Sequence, residues 1–504
     1  MNANLFALLA DGIADPEALA IETAAGERIT YGDLVARAGR MANALAGLGV
    51  RPGDRVAAQV EKSVEAIVLY LGTVRAGGVF LPLNTGYTPA EIDYFVGDAE
   101  PAVFVCDPAR AEALQPTADR AGARLVTLDA AGRGTLSDAA AAAPEAFETA
   151  AREADDLAAL LYTSGTTGRS KGAMLTHGNL VSNTRALIDA WRFTPRDVLI
   201  HALPIFHTHG LFVATNVTLF SGASMIFLPK YDAGRILGLM GRATALMGVP
   251  TFYVRLLEES GLTPAATARM RLFVSGSAPL LAETHREWQA RTGHAILERY
   301  GMTETNMNTS NPYDGDRVAG TVGLPLPGVE IVVTDPESGA ALPQGEIGMI
   351  EVRGPNVFKG YWRMPEKTAA ELRDSGFFIT GDLGRIDERG YVHIVGRGKD
   401  LIITGGYNVY PKEVEAELDE IPGVFESAVI GVPHRDFGEG VTAVIVPTGK
   451  IELSEADVLR RLEERLAKFK LPKRVLFVDA LPRNTMGKVQ KNVLRDTYGE
   501  LYKG

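Results

Sequence analysis

Two periodicities alternate along this chain, and the alternation restricts the fold more than any single motif. Leu34, Ala38, Met41, Leu45 and Leu48 keep helical spacing behind Thr30 and Asp33, a pair that reads as an N-cap. Arg55 to Val60 reads as a strand. Val64, Ile67, Val68, Leu71 and Val74 mark a second helix, stopped by Gly77-Gly78, and Val79 to Leu83 returns to strand character. This β-α-β rhythm predicts an α/β fold with mostly parallel sheets and helices on their faces. Ligands in such folds sit beyond the carboxyl ends of the strands.

One predicted strand end carries an unusual loop. The apolar run Leu157 to Leu161 leads into Tyr162-Thr163-Ser164-Gly165-Thr166-Thr167-Gly168-Arg169-Ser170-Lys171-Gly172. Glycines let backbone N–H groups approach an anion, hydroxyls donate, and Arg169 and Lys171 add charge, which together describe a phosphate cradle. It is not the common P-loop, because Gly168 is followed by Arg169 and Ser170. Gly396-Arg397-Gly398 begins a dinucleotide-type pattern but runs on into Lys399-Asp400-Leu401. Clusters of Gly, Ser and Thr also make ordinary surface loops, so composition leaves both readings open.

A length of 504 residues calls for two or three domains or subdomains. The texture changes near Gly396, and a compact unit follows Asp400. It has strand-like Ser427 to Val432 and Val441 to Val446, then a helix from the cap Ser454 through Val458, Leu462, Leu466 and Phe469. We place the boundary at Gly398 to Asp400, giving a large domain over 1–398 and a small α+β domain over 399–504. Ala109 to Asp156, rich in Ala, Asp and Glu, reads as surface helices and connections. The net charge of −11 argues against a general nucleic-acid binder but says little about a nucleotide site. Cys106, the single cysteine, lies in an apolar stretch and reads as a buried structural thiol. The first residues lack a basic region, no apolar run approaches the about 20 residues of a membrane helix, and a cytoplasmic protein is expected.

The order of the Gly-rich loop resembles the signature of the adenylate-forming enzymes: acyl- and aryl-CoA synthetases, luciferases and adenylation domains. The resemblance continues in family order. His177-Gly178-Asn179-Leu180, Leu203-Pro204-Ile205-Phe206-His207, Ser275-Gly276-Ser277-Ala278-Pro279-Leu280 and Tyr300-Gly301-Met302-Thr303-Glu304-Thr305 follow the loop. Thr380-Gly381-Asp382, Gly396-Arg397-Gly398-Lys399-Asp400 and Pro482-Arg483-Asn484-Thr485-Met486-Gly487-Lys488 complete the series. It implies a large AMP-binding domain and a small mobile C-terminal domain. The chemistry it implies is attack of a carboxylate on the α-phosphorus of ATP, then transfer of the acyl group from AMP to a thiol.

The same resemblance assigns roles. Thr163, Ser164, Gly165, Thr166, Thr167, Gly168 and Lys171 would hold the triphosphate. Glu304, with Thr163, would carry Mg²⁺, and Thr303 lines that loop. Ser277-Ala278-Pro279 and the backbone of Arg299, Tyr300, Gly301 and Met302 would form the adenine slot, with Tyr300 stacking on the base. Asp382 would accept the ribose hydroxyls and Arg397 would add a donor. Lys488 would bridge the carboxylate and the α-phosphate during adenylation. The small domain would then swing about Asp400 and admit CoA past Gly405-Gly406.

Polarity around the expected acid pocket, at Thr208, His209, Asn306, Met307, Asn308 and Thr309, argues for a small polar acid. Arg286, on a helix predicted over Leu281 to Arg291, is a natural partner for a second carboxylate. The runs Glu298 to Asp316 and Gly431 to Gly440 resemble the malonyl-CoA synthetases, which implies malonate as substrate with methylmalonate tolerated. Thr208 and Met307 would shape the pocket, Ser277 would line it, and His207 would gate it or orient the carboxylate. Lys488 could be a target for a lysine acetyltransferase. Three rivals stay open: a synthetase for another small acid, a carrier-loading adenylation enzyme, and a nucleotide-binding regulator built on a decayed synthetase. Only residues 489–504 follow Lys488, with no carrier domain among them, so free CoA is the expected acceptor.

Overall fold

A computed structural model of the chain describes residues 2–163, 170–404, 407–434, 437–449, 451–463, 465–466, 468–484 and 487–502. Two compact units emerge. Met1–Ala319, Gly323–Glu330 and Val352–Phe378 form the first; Gly320–Val322, Ile331–Glu351 and Ile379–Gly504 form the second.

The first unit is α/β, built on two sheets. One runs in the order Arg124–Thr127, Val103–Cys106, Arg55–Gln59, Val79–Pro82, Leu157–Thr163, Lys171–Thr176. All neighbours are parallel except the last pair. The other has nine strands. Six consecutive ones, Leu19–Thr23, Ser224–Phe227, Val198–His201, Ala245–Gly248, Leu272–Ser275 and Leu297–Met302, are parallel to their neighbours. Antiparallel strands close both edges.

Local sequence dictates much of this. Thr30 and Asp33 form a reciprocal capping box, and helix Tyr31–Gly47 buries Leu34, Ala38, Met41 and Leu45. Helix Val64–Arg75 is buried all round except at Glu65, as its nearly unbroken apolar sequence requires. Cys106 is buried inside its strand, and burial pushes its thiol up to about 11, which makes it inert. The Ala-rich stretch supplies helices Ala111–Ala121 and Thr135–Ala141, and also the edge strand Arg124–Thr127. No helix among the described residues is long and apolar enough to cross a membrane.

The second unit holds a sheet of Glu330–Thr334, Gly348–Arg353, Phe378–Ile386 and Val392–Arg397. A five-stranded sheet follows, centred on the long pair Val424–His434 and Gly438–Pro447. One face buries Val414, Leu418, Val441, Val458 and Leu462; the other buries Ile430, Val432, Val444 and Leu494. Ser454 caps helix Glu455–Glu463 by accepting the Asp457 N–H at 3.2 Å. Phe469 lies in a separate short turn, Lys468–Lys470, rather than in that helix.

Candidate active site

Thr163 ends its strand, Lys171 begins the next, and the two face each other across the antiparallel pair. They are the described flanks of the Gly-rich loop; Ser164, Gly165, Thr166, Thr167 and Gly168 lie outside the described residues. Thr163 Oγ1 is 3.4 Å from Glu304 Oε1. Glu304 is only 5% exposed, and its backbone carbonyl accepts the Phe358 N–H at 2.8 Å. Two residues without a sequence-based role complete the group. The Tyr361 hydroxyl lies 3.0 Å from Glu304 Oε1 and 2.7 Å from Glu371 Oε2. Lys171 Nζ is 3.3 Å from Glu371 and 4.2 Å from the centre of the Tyr361 ring. Burial works against charge on Glu371, but Lys367, Tyr361 and Lys171 hold its carboxyl below the usual range.

A second cluster surrounds the ends of neighbouring parallel strands. Ser275 aligns with Gly248 on one side and Glu298 on the other. Beyond it Gly276 leads to Ser277, a non-glycine residue held at φ 72°. Ser277 Oγ is 3.2 Å from His209 Nδ1. His209 opens a π-helical turn, His209–Thr215, a distortion frequent at functional sites. Its backbone N–H donates to His207 Nδ1 at 3.3 Å. Burial, and then the charge of Arg299, hold the His209 imidazole well below its ordinary pKa, so it is neutral. Thr208 and Arg299 are buried here, while Arg286 is exposed on helix Ala282–Thr292.

Tyr300, Gly301 and Met302 end the strand Leu297–Met302, which pairs antiparallel with Asn306–Ser310 through a register shift at Tyr300/Gly301. Any Cβ on Gly301 would sit 1.9 Å from the Asn306 carbonyl oxygen and 2.7 Å from Met307 Cε, so only glycine fits. Met307 is buried, its N–H and carbonyl both bonded to the Asn183 side chain. Tyr300 and Thr303 are half-buried, as is Ala278, and Pro279 is exposed.

In the second unit Asp382 is 4% exposed and pairs with Arg397 Nε at 2.8 Å across adjacent strands. Asp400 pairs with Arg495 on helix Lys491–Tyr498, also at 2.8 Å. Lys488 is exposed, and its N–H donates to Asn484 Oδ1 at 2.9 Å. Gly405 and Gly406 lie outside the described residues.

A sequence profile of the AMP-binding enzyme family matches residues 12–362, and one of the AMP-binding enzyme C-terminal domain matches residues 413–488. The chain belongs to the AMP-binding enzyme family. It is similar to a malonate–CoA ligase of Arabidopsis thaliana, 37% identical over 482 residues, with 89% of this chain and 79% of that protein covered. It is equally similar to a feruloyl-CoA synthase of an Amycolatopsis species, 37% identical over 479 residues, covering 94% and 95% of the two chains. Among solved structures it matches ATP-bound MatB from Rhodopseudomonas palustris at 70% identity and a TM-score of 0.98, over 100% of both chains. The α/β architecture, with a large N-terminal and a small C-terminal domain, is that of the adenylate-forming enzymes.

The sequence motifs name Thr163, Lys171 and Glu304, and the fold brings residues from outside those motifs beside them. Tyr361 and Glu371 come to Lys171 and Glu304 from segments remote in the chain, and no local pattern links them. His209 registered only as a polar residue near the pocket. No group of three or more His, Cys, Asp or Glu placed to hold a metal occurs among the described residues. One buried carboxylate beside one hydroxyl instead fits a Mg²⁺ that brings most of its oxygen ligands as phosphate and water.

Proposed function

We propose that the protein is an ATP-dependent malonate–CoA ligase, with methylmalonate as a second substrate. The malonate carboxylate attacks the α-phosphorus of ATP, pyrophosphate leaves, and malonyl-AMP forms. The CoA thiol then attacks the acyl carbon, and AMP leaves as malonyl-CoA is released. The observation that carries this reading is the likeness over almost the whole chain to a plant malonate–CoA ligase, in a fold that binds ATP in a relative. That the feruloyl-CoA synthase is no more distant makes the acid the point to test.

The residue roles follow the family motifs. Lys171 and Thr163 flank the loop that takes the triphosphate. Glu304 and Thr163 would hold Mg²⁺, which supplies charge neutralisation on the phosphates. Tyr300 stacks on adenine against Ser277-Ala278-Pro279. Asp382 takes the ribose hydroxyls, and its pairing with Arg397 orients the carboxylate for that task. Lys488 stabilises charge during adenylation. Thr208 and Met307 bound the space around the α-carbon, with His207 beside them. Arg286 is the sequence candidate for the second carboxylate, though its exposure leaves room for a stronger one. The domains divide at 398/399, with Asp400 as hinge and Gly405-Gly406 on the thioester face.

A panel of acids, read as AMP release with and without CoA, tests the reading. Malonate should give the highest kcat/KM, methylmalonate should follow, and AMP release should depend on CoA for turnover. Preference for an aryl or monocarboxylic acid would replace malonate, and transfer to a carrier protein in place of CoA would replace the acceptor.

A further inference from the structure

Lys488 sits in a segment tied down on both sides by ion pairs to other elements of its unit. Backbone bonds first close the segment on itself. The Asn484 N–H donates to the Lys488 carbonyl at 2.9 Å, the Gln490 N–H donates to the Pro482 carbonyl at 2.8 Å, and Arg483 bridges Val489 in antiparallel fashion. Thr485 and Met486 lie outside the described residues. This pairing sets the segment's own shape but not its place on the domain.

Two cations set the place. Arg483 Nη1 donates to the Gly487 carbonyl at 2.6 Å, and its Nη2 donates to Glu426 Oε2. Gly487 stands at φ 76°, a left-handed conformation that aims its carbonyl and that a side chain would resist. Glu426 lies on the long strand Val424–His434, so one guanidinium joins the residue directly before Lys488 to the sheet. Three residues after Lys488, Lys491 Nζ meets Glu415 Oε1 at 2.6 Å. Glu415 belongs to helix Pro411–Asp419, its side chain is 8% exposed, and the same oxygen accepts the Val429 N–H at 2.9 Å. Burial works against charge on Glu415, but Lys491 and then Lys412 hold its carboxyl below the usual range.

Exposed ion pairs contribute little, but a pair whose carboxylate is buried is costly to break, because the charge left behind has no partner. Both carboxylates here are committed to cations that bracket Lys488. A lysine is a point charge on a long flexible stem, and it stabilises developing charge only when its backbone origin is fixed beforehand.

We propose that Arg483 and Lys491 are positioning residues for Lys488, anchoring its segment through Glu426 and Glu415 so that it serves adenylation. This rests on the role given to Lys488 in the ligase reading. The test is the rate of each half-reaction, read separately as malonate-dependent pyrophosphate exchange and as malonyl-CoA formation from presynthesised malonyl-AMP. The variants are Arg483→Met, Arg483→Lys, Lys491→Met and Lys488→Ala, with Arg483→Met also built on Lys488→Ala.

Arg483→Met should slow adenylation by roughly 10- to 100-fold, the scale on which a misplacement of about 1 Å acts, with KM for ATP and malonate unchanged. Lys491→Met should lose less, Arg483→Lys should recover part of the loss, and thioester formation should persist throughout. On Lys488→Ala, Arg483→Met should cost nothing further, because the group it positions is gone. An unchanged adenylation rate in either Met variant, equal slowing of both half-reactions, or a further loss on Lys488→Ala overturns the proposal. If Arg483→Met fails to fold, Glu426→Gln removes the anchor's charge at similar volume, and an unchanged adenylation rate there overturns it equally. A Lys488→Ala enzyme that adenylates at the wild-type rate overturns the role of Lys488 and this proposal with it, a result distinct from a silent Arg483.

Discussion

Tyr361 gives its hydroxyl to Glu304 at 3.0 Å while standing 2.7 Å from Glu371, so one phenolic proton faces two carboxylates. Burial first, and then Glu304, push the Tyr361 pKa far above its ordinary value, so the phenol keeps its proton. Through it the Mg²⁺ ligand proposed here is tied to Glu371 and so to Lys171.

Tyr361→Phe should therefore loosen Glu304 without touching the acid pocket. A hydrogen bond to a charged group contributes about 1.5–3 kcal/mol, which corresponds to roughly 10- to 100-fold. We expect the Mg²⁺ concentration for half-maximal AMP formation to rise by about 10-fold, with the malonate KM unchanged. Mg²⁺ titration of both enzymes decides the point; identical curves would separate Tyr361 from the metal.

Lys488→Ala should slow adenylation by roughly two to three orders of magnitude, the scale for removing one preorganised stabiliser of transition-state charge. Conversion of presynthesised malonyl-AMP and CoA to malonyl-CoA should persist. Equal slowing of both steps would remove the division of labour between the half-reactions.

Arg495 holds Asp400, the proposed hinge, in an ion pair whose side chains are 28% and 11% exposed. Arg495→Met should change the ratio of the two half-reaction rates, and Asp400→Pro should disable one far more than the other. Separate assays of pyrophosphate exchange and of thioester formation measure this. A uniform loss would point to a merely structural pair.

His177, quoted above as part of a family motif, turns out to be structural. It is fully buried, and its Nδ1 accepts the Leu5 N–H at 2.9 Å, tying helix Leu5–Asp11 to the body of its unit. Burial, with Arg152 behind it, lowers its pKa from 6.5 to about 4. Above pH 6.5 the imidazole is neutral folded or unfolded, and its full contribution is present. As pH falls from 6.5 toward 4 the unfolded chain gains a proton that the folded one refuses, and stability drops by up to about 3 kcal/mol. His177→Asn should flatten that part of a pH series of unfolding midpoints; an unchanged slope would assign the acid sensitivity elsewhere.

What the sequence disclosed was local. The Thr30–Asp33 cap, the buried helix Val64–Arg75 and the strand running into Thr163 rest on contacts a few residues apart, and they are present. The pairing of Asp382 with Arg397 comes from two motifs brought side by side by one hairpin. The links from Lys171 to Glu371, from Glu304 to Tyr361 and from His209 to Ser277 span long stretches of chain, and no periodicity encodes them. Arg299 shows the limit most clearly. Strand alternation places its side chain opposite Glu298, but only the tertiary fold reveals that its guanidinium is buried with no hydrogen-bond partner among the described residues.

The central claim is that the acid attacks ATP at the α-phosphorus. Malonate labelled with ¹⁸O in its carboxylates, incubated with ATP, Mg²⁺ and CoA, tests this directly. One ¹⁸O should appear in the AMP formed and none in the pyrophosphate. Formation of ADP with label in inorganic phosphate would contradict it.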